Sequence, residues 1–367
     1  MKNEMANPWL DHCLRALADA GGSDLHLKVG SPPRIRVNGI LGFLPGQPAV
    51  TRQQSEELAV AIAGPGGMGG ASEVDCAYTV DGLGRFRVNL FRQRGSVAVV
   101  ARRVLTTVPS FEALGLPDSV RGLAEEQRGL VLVTGPTGSG KTTTLAAMVD
   151  HVNRSRACHV VTIEDPIEVL HSDRLASIDQ REVGVDTRDF ATAMRAVMRQ
   201  DPDVILVGEM RDTETVGAAL SAAETGHLVL STLHTIDAKE TVNRIVDFFP
   251  SHQHDQVRMS LAGSLRGTVG QRLVRRADGE GRVAALEVMV VTGRVQGCIV
   301  DPAGSPDLAE IIADGGFYGM QTFDQALGRL YEDGRIDLRA ALAAATNPHD
   351  LTVALRQRGL VGSGRVS

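Results

Sequence analysis

The chain has 367 residues, enough for two or three domains of ordinary size. Its net charge of −6 and aromatic content of 4% argue against a general nucleic-acid-binding protein, because such proteins usually need a basic surface and aromatic stacking platforms. The four cysteines (Cys13, Cys76, Cys158 and Cys298) lie far apart, which argues against a zinc site. No apolar run approaches the roughly 18 residues of a membrane span, and a signal-peptide core is lacking. We therefore expect a soluble cytoplasmic protein without a transmembrane segment.

The first part of the chain has the pattern of a small α+β domain with an antiparallel sheet. Asn38-Gly39 is a strong hairpin signal between two short alternating runs. We predict, in order, a helix at 5–20, strands at 23–29 and 34–37, a helix at 51–63, a hairpin at 78–91 and a strand at 97–104.

The strand after the second turn presents two arginines on its polar face. Phe86, Val88 and Leu90 alternate with Arg85 and Arg87, so the apolar side chains are expected to be buried. The arginines have two interpretations: a solvated sheet face, or cations offered to a phosphate on a neighbouring subunit.

A segment at 106–117 with two prolines and a glycine reads as a linker, and strands then alternate with helices. We predict strands at 130–134, 159–163, 204–207 and 228–231, and helices at 141–152, 190–199 and 213–225. This alternation indicates an α/β core with a mostly parallel sheet, in which ligand chemistry gathers at the carboxyl ends of the strands.

The first strand of this core runs into a phosphate-binding loop. Its residues are Gly135, Pro136, Thr137, Gly138, Ser139, Gly140, Lys141 and Thr142, followed by Thr143 at the start of a helix. They match G-x-x-x-x-G-K-[ST], and the strand before and the helix after supply the context that this motif requires. Backbone amides and Lys141 would hold the phosphates of ATP, and the Thr142 hydroxyl would ligate Mg²⁺.

Polar residues follow the other three strands. Glu164 and Glu209 each come after an apolar strand, His234 comes after the fourth, and His227 stands at that strand's start. A carboxylate here can orient water or hold the Mg²⁺ shell, or it can simply cap a helix. The usual Mg²⁺-holding aspartate is missing, so Glu209 acts on Mg²⁺ through water or on the nucleophile. His234 is either a γ-phosphate sensor or a partly buried histidine.

Together these motifs resemble the secretion-type (type II/IV) ATPase superfamily. The phosphate loop and the stretches at 162–168, 201–212 and 225–235 are similar to its four nucleotide motifs, and 23–27 and 85–89 resemble its small N-terminal domain. Within the superfamily the chain most resembles the PilT-like twitching-motility branch. It lacks the four-cysteine insert of the assembly ATPases, and residues 319–327 are similar to that branch.

The resemblance implies a fold, an assembly and a function. The expected organisation is a PAS-like domain at 1–105, a linker at 106–117, a RecA-like ATPase core at 118–290 and a C-terminal helical segment at 291–367. It implies a homohexamer that binds ATP and Mg²⁺ between the domains. It further implies a retraction motor that meets a pilus platform protein at the inner face of the cytoplasmic membrane, with no nucleic-acid partner. Arg85, Arg87, Arg102 and Arg244 match arginines near the nucleotide.

One stretch departs from the family pattern. Residues 294–301 do not reproduce the Ala-Ile-Arg and Ile-Arg-Glu segment tied to retraction. An accessory or assembly-type ATPase therefore stays an alternative. So do a nucleotide-gated binding module without motor activity and a RecA-like DNA translocase.

Overall fold

The computed structural model describes residues 7–37, 39–104, 107–305 and 307–361. They form two compact units. The N-terminal unit holds the described residues up to Thr107 together with Glu168–Leu170, and the C-terminal unit holds the rest. The four-segment division expected from the sequence stays a prediction.

The N-terminal unit combines two helices with a six-stranded antiparallel sheet. Its elements are α1 (Pro8–Asp19), β1 (Asp24–Lys28), β2 (Arg34–Val37), β3 (Ile40–Phe43), α2 (Arg52–Ala63), β4 (Glu73–Val80), β5 (Gly84–Gln93) and β6 (Ser96–Arg103). The strand order is β3-β2-β1-β6-β5-β4. Of the predicted hairpin turn, Asn38 lies outside the described residues.

The local patterns explain these elements. On α1 the buried residues Leu10, Leu14 and Leu17 recur at helical spacing, so one stripe of the helix faces the core. On β5, Phe86, Val88 and Leu90 are buried, as the alternation predicts.

The C-terminal unit contains a seven-stranded sheet with helices. Its first elements are α3 (Phe111–Leu114), α4 (Asp118–Glu125), β7 (Gly129–Thr134), α5 (Lys141–Ser155), β8 (His159–Glu164), β9 (Ser177–Glu182), α6 (Phe190–Val197), β10 (Val204–Val207), α7 (Thr213–Glu224) and β11 (Leu228–Leu233). The remainder are α8 (Ala238–Asp247), α9 (His254–Ser264), β12 (Leu265–Arg275), β13 (Arg282–Val290), α10 (Gly293–Val300), α11 (Leu308–Asp314), α12 (Phe323–Glu332), α13 (Leu338–Ala344) and α14 (Pro348–Gln357). Short 3₁₀ turns occupy Ser251–Gln253 and Gly315–Tyr318.

The sheet of this unit runs β13-β12-β7-β11-β10-β8-β9, and only the β12–β13 pair is antiparallel. Alternate residues of its strands face two separate cores. Leu130 and Leu132 belong to one cluster, while Val131 and Val133 belong to the other. The strands are therefore buried on both faces, as continuous apolar runs in a parallel sheet require.

The sequence interpretation missed three features of this unit. It assigned no strand to β9, and it did not foresee the long hairpin of β12 and β13. The segment predicted as a linker contains the one-turn helix α3, whose Phe111 is buried, as is the following Leu116. Thr106, at the start of that segment, lies outside the described residues. No described helix is long and apolar enough to cross a membrane.

Candidate nucleotide-binding site

The carboxyl ends of four parallel strands lie side by side in the C-terminal unit. The strands are β7, β11, β10 and β8, adjacent in that order, and every neighbouring pair is parallel. They end at Thr134, Leu233, Val207 and Glu164. Because parallel strands bring their carboxyl ends to one edge, the residues that follow them share that edge.

The phosphate loop that follows β7 packs tightly against β12. Gly135 and Gly140 have φ values of 139° and 92°, which side-chain-bearing residues rarely adopt. A Cβ on Gly135 would lie 2.4 Å from the carbonyl oxygen of Gln271, and one on Gly140 would lie 2.7 Å from its Nε2. The turn therefore favours glycine at both positions; a backbone oxygen also excludes a side chain at Gly135, and at Gly140 a side chain would displace the Gln271 amide.

The loop has the features of a phosphate cradle. Ser139 is buried, and its hydroxyl has no hydrogen-bond partner among the described residues. Helix α5 begins at Lys141 behind Gly140, which provides no side-chain cap. The N–H groups of its first turn, which contains Thr142 and Thr143, have no acceptor within the helix. A bound phosphate would satisfy these donors, so the loop fits a nucleotide. Pro136, Thr137 and Gly138 form its exposed tip.

Lys141 connects the loop to the neighbouring strand end. Its ammonium donates to the carbonyls of Gly135 at 2.8 Å and Pro136 at 3.1 Å. Its Nζ also lies 3.4 Å from Nδ1 of His234, the residue directly after β11. The side chain of the motif lysine is therefore held at the strand ends, and the residue is only 9% exposed.

His234 extends this contact to the next strand end. Its Nε2 lies 3.2 Å from Oε1 of Glu209, whose Oε2 accepts a hydrogen bond from Arg211 at 2.8 Å. Burial opposes ionisation of Glu209, but the bond and charge of Arg211 and the charge of His234 outweigh it and lower the pKa of that carboxyl. Lys141, His234, Glu209 and Arg211 therefore form one continuous polar chain.

Glu164 lies at the fourth strand end. It accepts hydrogen bonds from Oγ1 of Thr162 at 2.7 Å and Nε2 of Gln180 at 3.0 Å. Gly208, directly before Glu209, donates its N–H to the carbonyl of Ile163 at 2.8 Å, which joins the ends of β8 and β10. The two predicted glutamates thus follow adjacent strands, and both carboxylates are held by donors.

Two predicted residues have different surroundings. His227 precedes β11, and its Nδ1 lies 3.0 Å from the carbonyl of Ala222 at the end of α7. Because the six residues of β11 span about 20 Å, His227 and His234 stand at opposite edges of the sheet. The structure therefore does not bring His227 together with the strand-end residues, and its predicted catalytic role stays a prediction. Arg244, near the end of α8, lies over the Phe248 ring at 4.9 Å, and its predicted role stays a prediction.

The remaining predicted arginines belong to the N-terminal unit. Arg87 and Arg102 are direct cross-strand partners on β5 and β6, and Arg85 lies two residues before Arg87 on the same face. Arg87 lies 3.8 Å from Asp75, and Arg102 donates to Asp24 at 2.7 Å. Their predicted role toward a phosphate stays a prediction.

Three residues at this edge were not singled out from the sequence. Arg211 stands two positions after Glu209 in the same motif, so its positive charge could have indicated a partner for that carboxylate. Gln271 supports the loop and accepts a hydrogen bond from Thr144 of α5 at 2.8 Å, but it lies on the distant strand β12. Gln180 lies on β9, and neither glutamine carries a local motif.

Comparison with known proteins identifies the family. A model of the family described as type II/IV secretion system protein matches residues 85–315. This chain belongs to that family. It is 40% identical over 345 residues to the type IV pilus ATPase PilU of Pseudomonas aeruginosa, covering 94% of this chain and 90% of PilU. It is 42% identical over 336 residues to the retraction ATPase PilT of the same organism, covering 91% of this chain and 97% of PilT.

A solved member of the family has the same fold. The crystal structure of the pilus retraction motor PilT with bound ADP matches with a TM-score of 0.86 at 43% identity, covering 94% of this chain and 99% of that one. The predicted fold class is therefore confirmed: a RecA-like P-loop core preceded by a small PAS-like α+β domain, with helices at the C-terminal end. The family of this chain and its PilT relatives also confirm that the chain is an ATP hydrolase.

Proposed function

We propose that this protein is a hexameric, Mg²⁺-dependent ATPase motor that powers retraction of type IV pili. The observation that carries the proposal is the polar chain from Lys141 through His234 to Glu209, at the strand ends beside the phosphate loop. The names of its pilus relatives, which match over more than nine-tenths of this chain, support the pilus assignment. The inner-membrane platform protein of the pilus is the proposed partner.

In this proposal each residue has a distinct task. Lys141 and the loop amides bind the phosphates, Glu209 or Glu164 orients the attacking water, and His234 responds to the γ-phosphate. Arg85, Arg87 and Arg102 contact a nucleotide bound to a neighbouring subunit, where guanidinium groups stabilise developing charge.

Mg²⁺ fits the donors at this edge. The described residues contain no cluster of three or more His, Cys, Asp or Glu side chains that could hold a metal, so the ion would depend on the phosphates and the Thr142 hydroxyl. One carboxylate oxygen of Glu209 already accepts a hydrogen bond from Arg211 and the other lies 3.2 Å from Nε2 of His234, which favours contact with the ion through water. When bound, Mg²⁺ neutralises phosphate charge.

Lys141→Ala tests the enzymatic part of the proposal. The variant should fold, because alanine is a good helix former at the first position of α5. It should lose steady-state ATP hydrolysis, because the Lys141 ammonium is the motif charge that binds the phosphates. Turnover by the purified variant at the wild-type rate would refute the site assignment.

Deleting the protein from its cell tests the pilus role. Surplus surface pili would support retraction, whereas loss of pili would support an assembly role. The altered stretch at 294–301, most of it on α10, favours an accessory ATPase as the second candidate. Normal retraction without this protein, lost only when a second ATPase is also deleted, would support that alternative.

A further inference from the structure

Asp24 is a buried carboxylate on the polar face of the N-terminal unit's sheet. Its side chain is only 4% exposed, although it stands on the face opposite Leu25 and the hydrophobic core. Burying a carboxylate is costly unless its oxygens are paired and hydrogen-bonded. The contacts of Asp24 show how this cost is met.

Each oxygen of Asp24 has a partner. Oδ1 accepts a 2.7 Å hydrogen bond from Nε of Arg102, and Oδ2 accepts one of 2.7 Å from the Ser23 hydroxyl. Oδ2 also lies 3.8 Å from Nε of Arg36. Burial opposes ionisation, but the bonds from Ser23 and Arg102 and the charge of Arg102 outweigh it and lower the pKa of Asp24.

The strand register places this carboxylate inside a row of arginines. Arg36, Asp24, Arg102 and Arg87 are successive cross-strand partners on β2, β1, β6 and β5. Like charges directly opposite each other repel, so Arg87 and Arg102 need nearby acids to hold their places. Asp24 provides the acid for Arg102, and Asp75 lies beside Arg87.

The Arg102 guanidinium is bound to Asp24 on one side and exposed on the other. Its Nε is committed to the buried carboxylate, while its side chain is 65% exposed. Its two terminal nitrogens have no hydrogen-bond partner within the part of the chain that the structure describes. A guanidinium can do this because its donors form a rigid fork, whereas a lysine has a single nitrogen.

We propose that Asp24 is a positioning residue that fixes the Arg102 guanidinium so that its terminal N–H groups face the nucleotide phosphates of a neighbouring subunit. This inference rests on the proposed ATPase motor and adds the residue that orients one of its arginines. Without the Asp24 charge, Arg102 keeps its own charge but loses its fixed direction.

The test is a double-mutant cycle in the full-length protein. We expect Asp24→Asn and Arg102→Ala each to lower kcat by about tenfold or more, because misplacing a charged group near the reacting atoms costs on that scale. The double variant should be no slower than Arg102→Ala alone. Arg36→Ala is the matched control: it removes the other arginine facing Asp24 and should leave kcat within about twofold. Thermal midpoints of each variant separate positioning from folding.

Arg102→Lys keeps the experiment informative if Asp24→Asn does not fold. Its three N–H donors share one nitrogen, so an ammonium bound to Asp24 does not reach the outward position of the guanidinium terminal nitrogens, and kcat should fall as far as in Arg102→Ala. Wild-type kcat in Arg102→Lys, or additive losses in the cycle, would overturn the positioning role. Lys141→Ala is measured alongside: persistent turnover there would instead defeat the proposed function, whatever the Arg102 variants do.

Discussion

Glu287 offers a quantitative test of the core that supports the site. This glutamate lies on β13, is 7% exposed, and accepts a 2.8 Å hydrogen bond from the N–H of Ala238, the first residue of α8. Its pKa is raised to about 7, and burial is the largest cause. The Ala238 hydrogen bond and the charge of Arg272 lower the pKa, whereas the charges of Asp237 and Asp324 raise it. The carboxyl therefore titrates at near-neutral pH beside α8, the helix that follows His234.

The sign of the effect follows from proton binding. The unfolded chain releases this proton near pH 4.5, while the folded chain retains it to about pH 7. The folded state thus binds more protons in between, and its stability falls as the pH rises through that range. The difference between 4.5 and about 7, at about 1.4 kcal/mol for each pKa unit, gives a loss of about 3 kcal/mol. About 2 kcal/mol of that loss falls between about pH 5.5 and pH 8.

Glu287→Gln removes the titration while keeping the shape of the protonated side chain. Relative to wild type, the free energy of opening in the variant should rise by about 2 kcal/mol between about pH 5.5 and pH 8. Hydrogen exchange in peptides of β12 and β13 measures this, because the single tryptophan, Trp9, belongs to the N-terminal unit. Glu280→Gln, at the exposed turn of the same hairpin, is the control. A difference between Glu287→Gln and wild type that does not change with pH would refute the reasoning.

Three further predictions concern the strand-end site. Arg211→Gln should move the acidic limb of the kcat profile to higher pH, because Arg211 helps lower the pKa of Glu209; an unchanged limb would count against Glu209 as the titrating group. Gly140→Ala should weaken ADP binding in calorimetry far more than Gly138→Ala, since both have positive φ but only the first Cβ would meet a neighbour, at 2.7 Å. Gln271→Leu should destabilise the C-terminal unit by about 1–3 kcal/mol in urea denaturation, because it leaves a buried hydroxyl of α5 unpaired.

Sequence reasoning could place the predicted site residues together because they follow strands. Each of the apolar runs ending at Thr134, Glu164, Val207 and Leu233 was predicted as a strand, although three of them differ at one or both ends by one to two residues. Once the strands were taken as parallel, the phosphate loop, the two glutamates and His234 had to meet at one edge. The fold class followed from the same alternation of strands and helices.

The partners of those residues could not be found in the same way. Gln271 contacts the loop because β12 lies beside β7, a pairing between strands more than 130 residues apart. Asp24 meets Arg102 because β1 and β6 pair antiparallel in one particular register. Neither strand carries a signal for its neighbour, since hydrophobic alternation specifies which face is buried and not which strand lies alongside.

The direction of a strand decides which polar residue lies beside Lys141 and Glu209. His227 and His234 bracket β11, and only the second stands where the chain leaves the sheet at the edge that carries Lys141 and Glu209. A phosphate entering the loop would compete with the carbonyls of Gly135 and Pro136 for the Lys141 ammonium. The same ammonium lies against His234, which in turn contacts Glu209. A shift of the Lys141 ammonium toward a phosphate would therefore alter the contacts of the Glu209 carboxylate through His234. His227 takes no part in this series of contacts, because the length of β11 separates it from Lys141, His234 and Glu209.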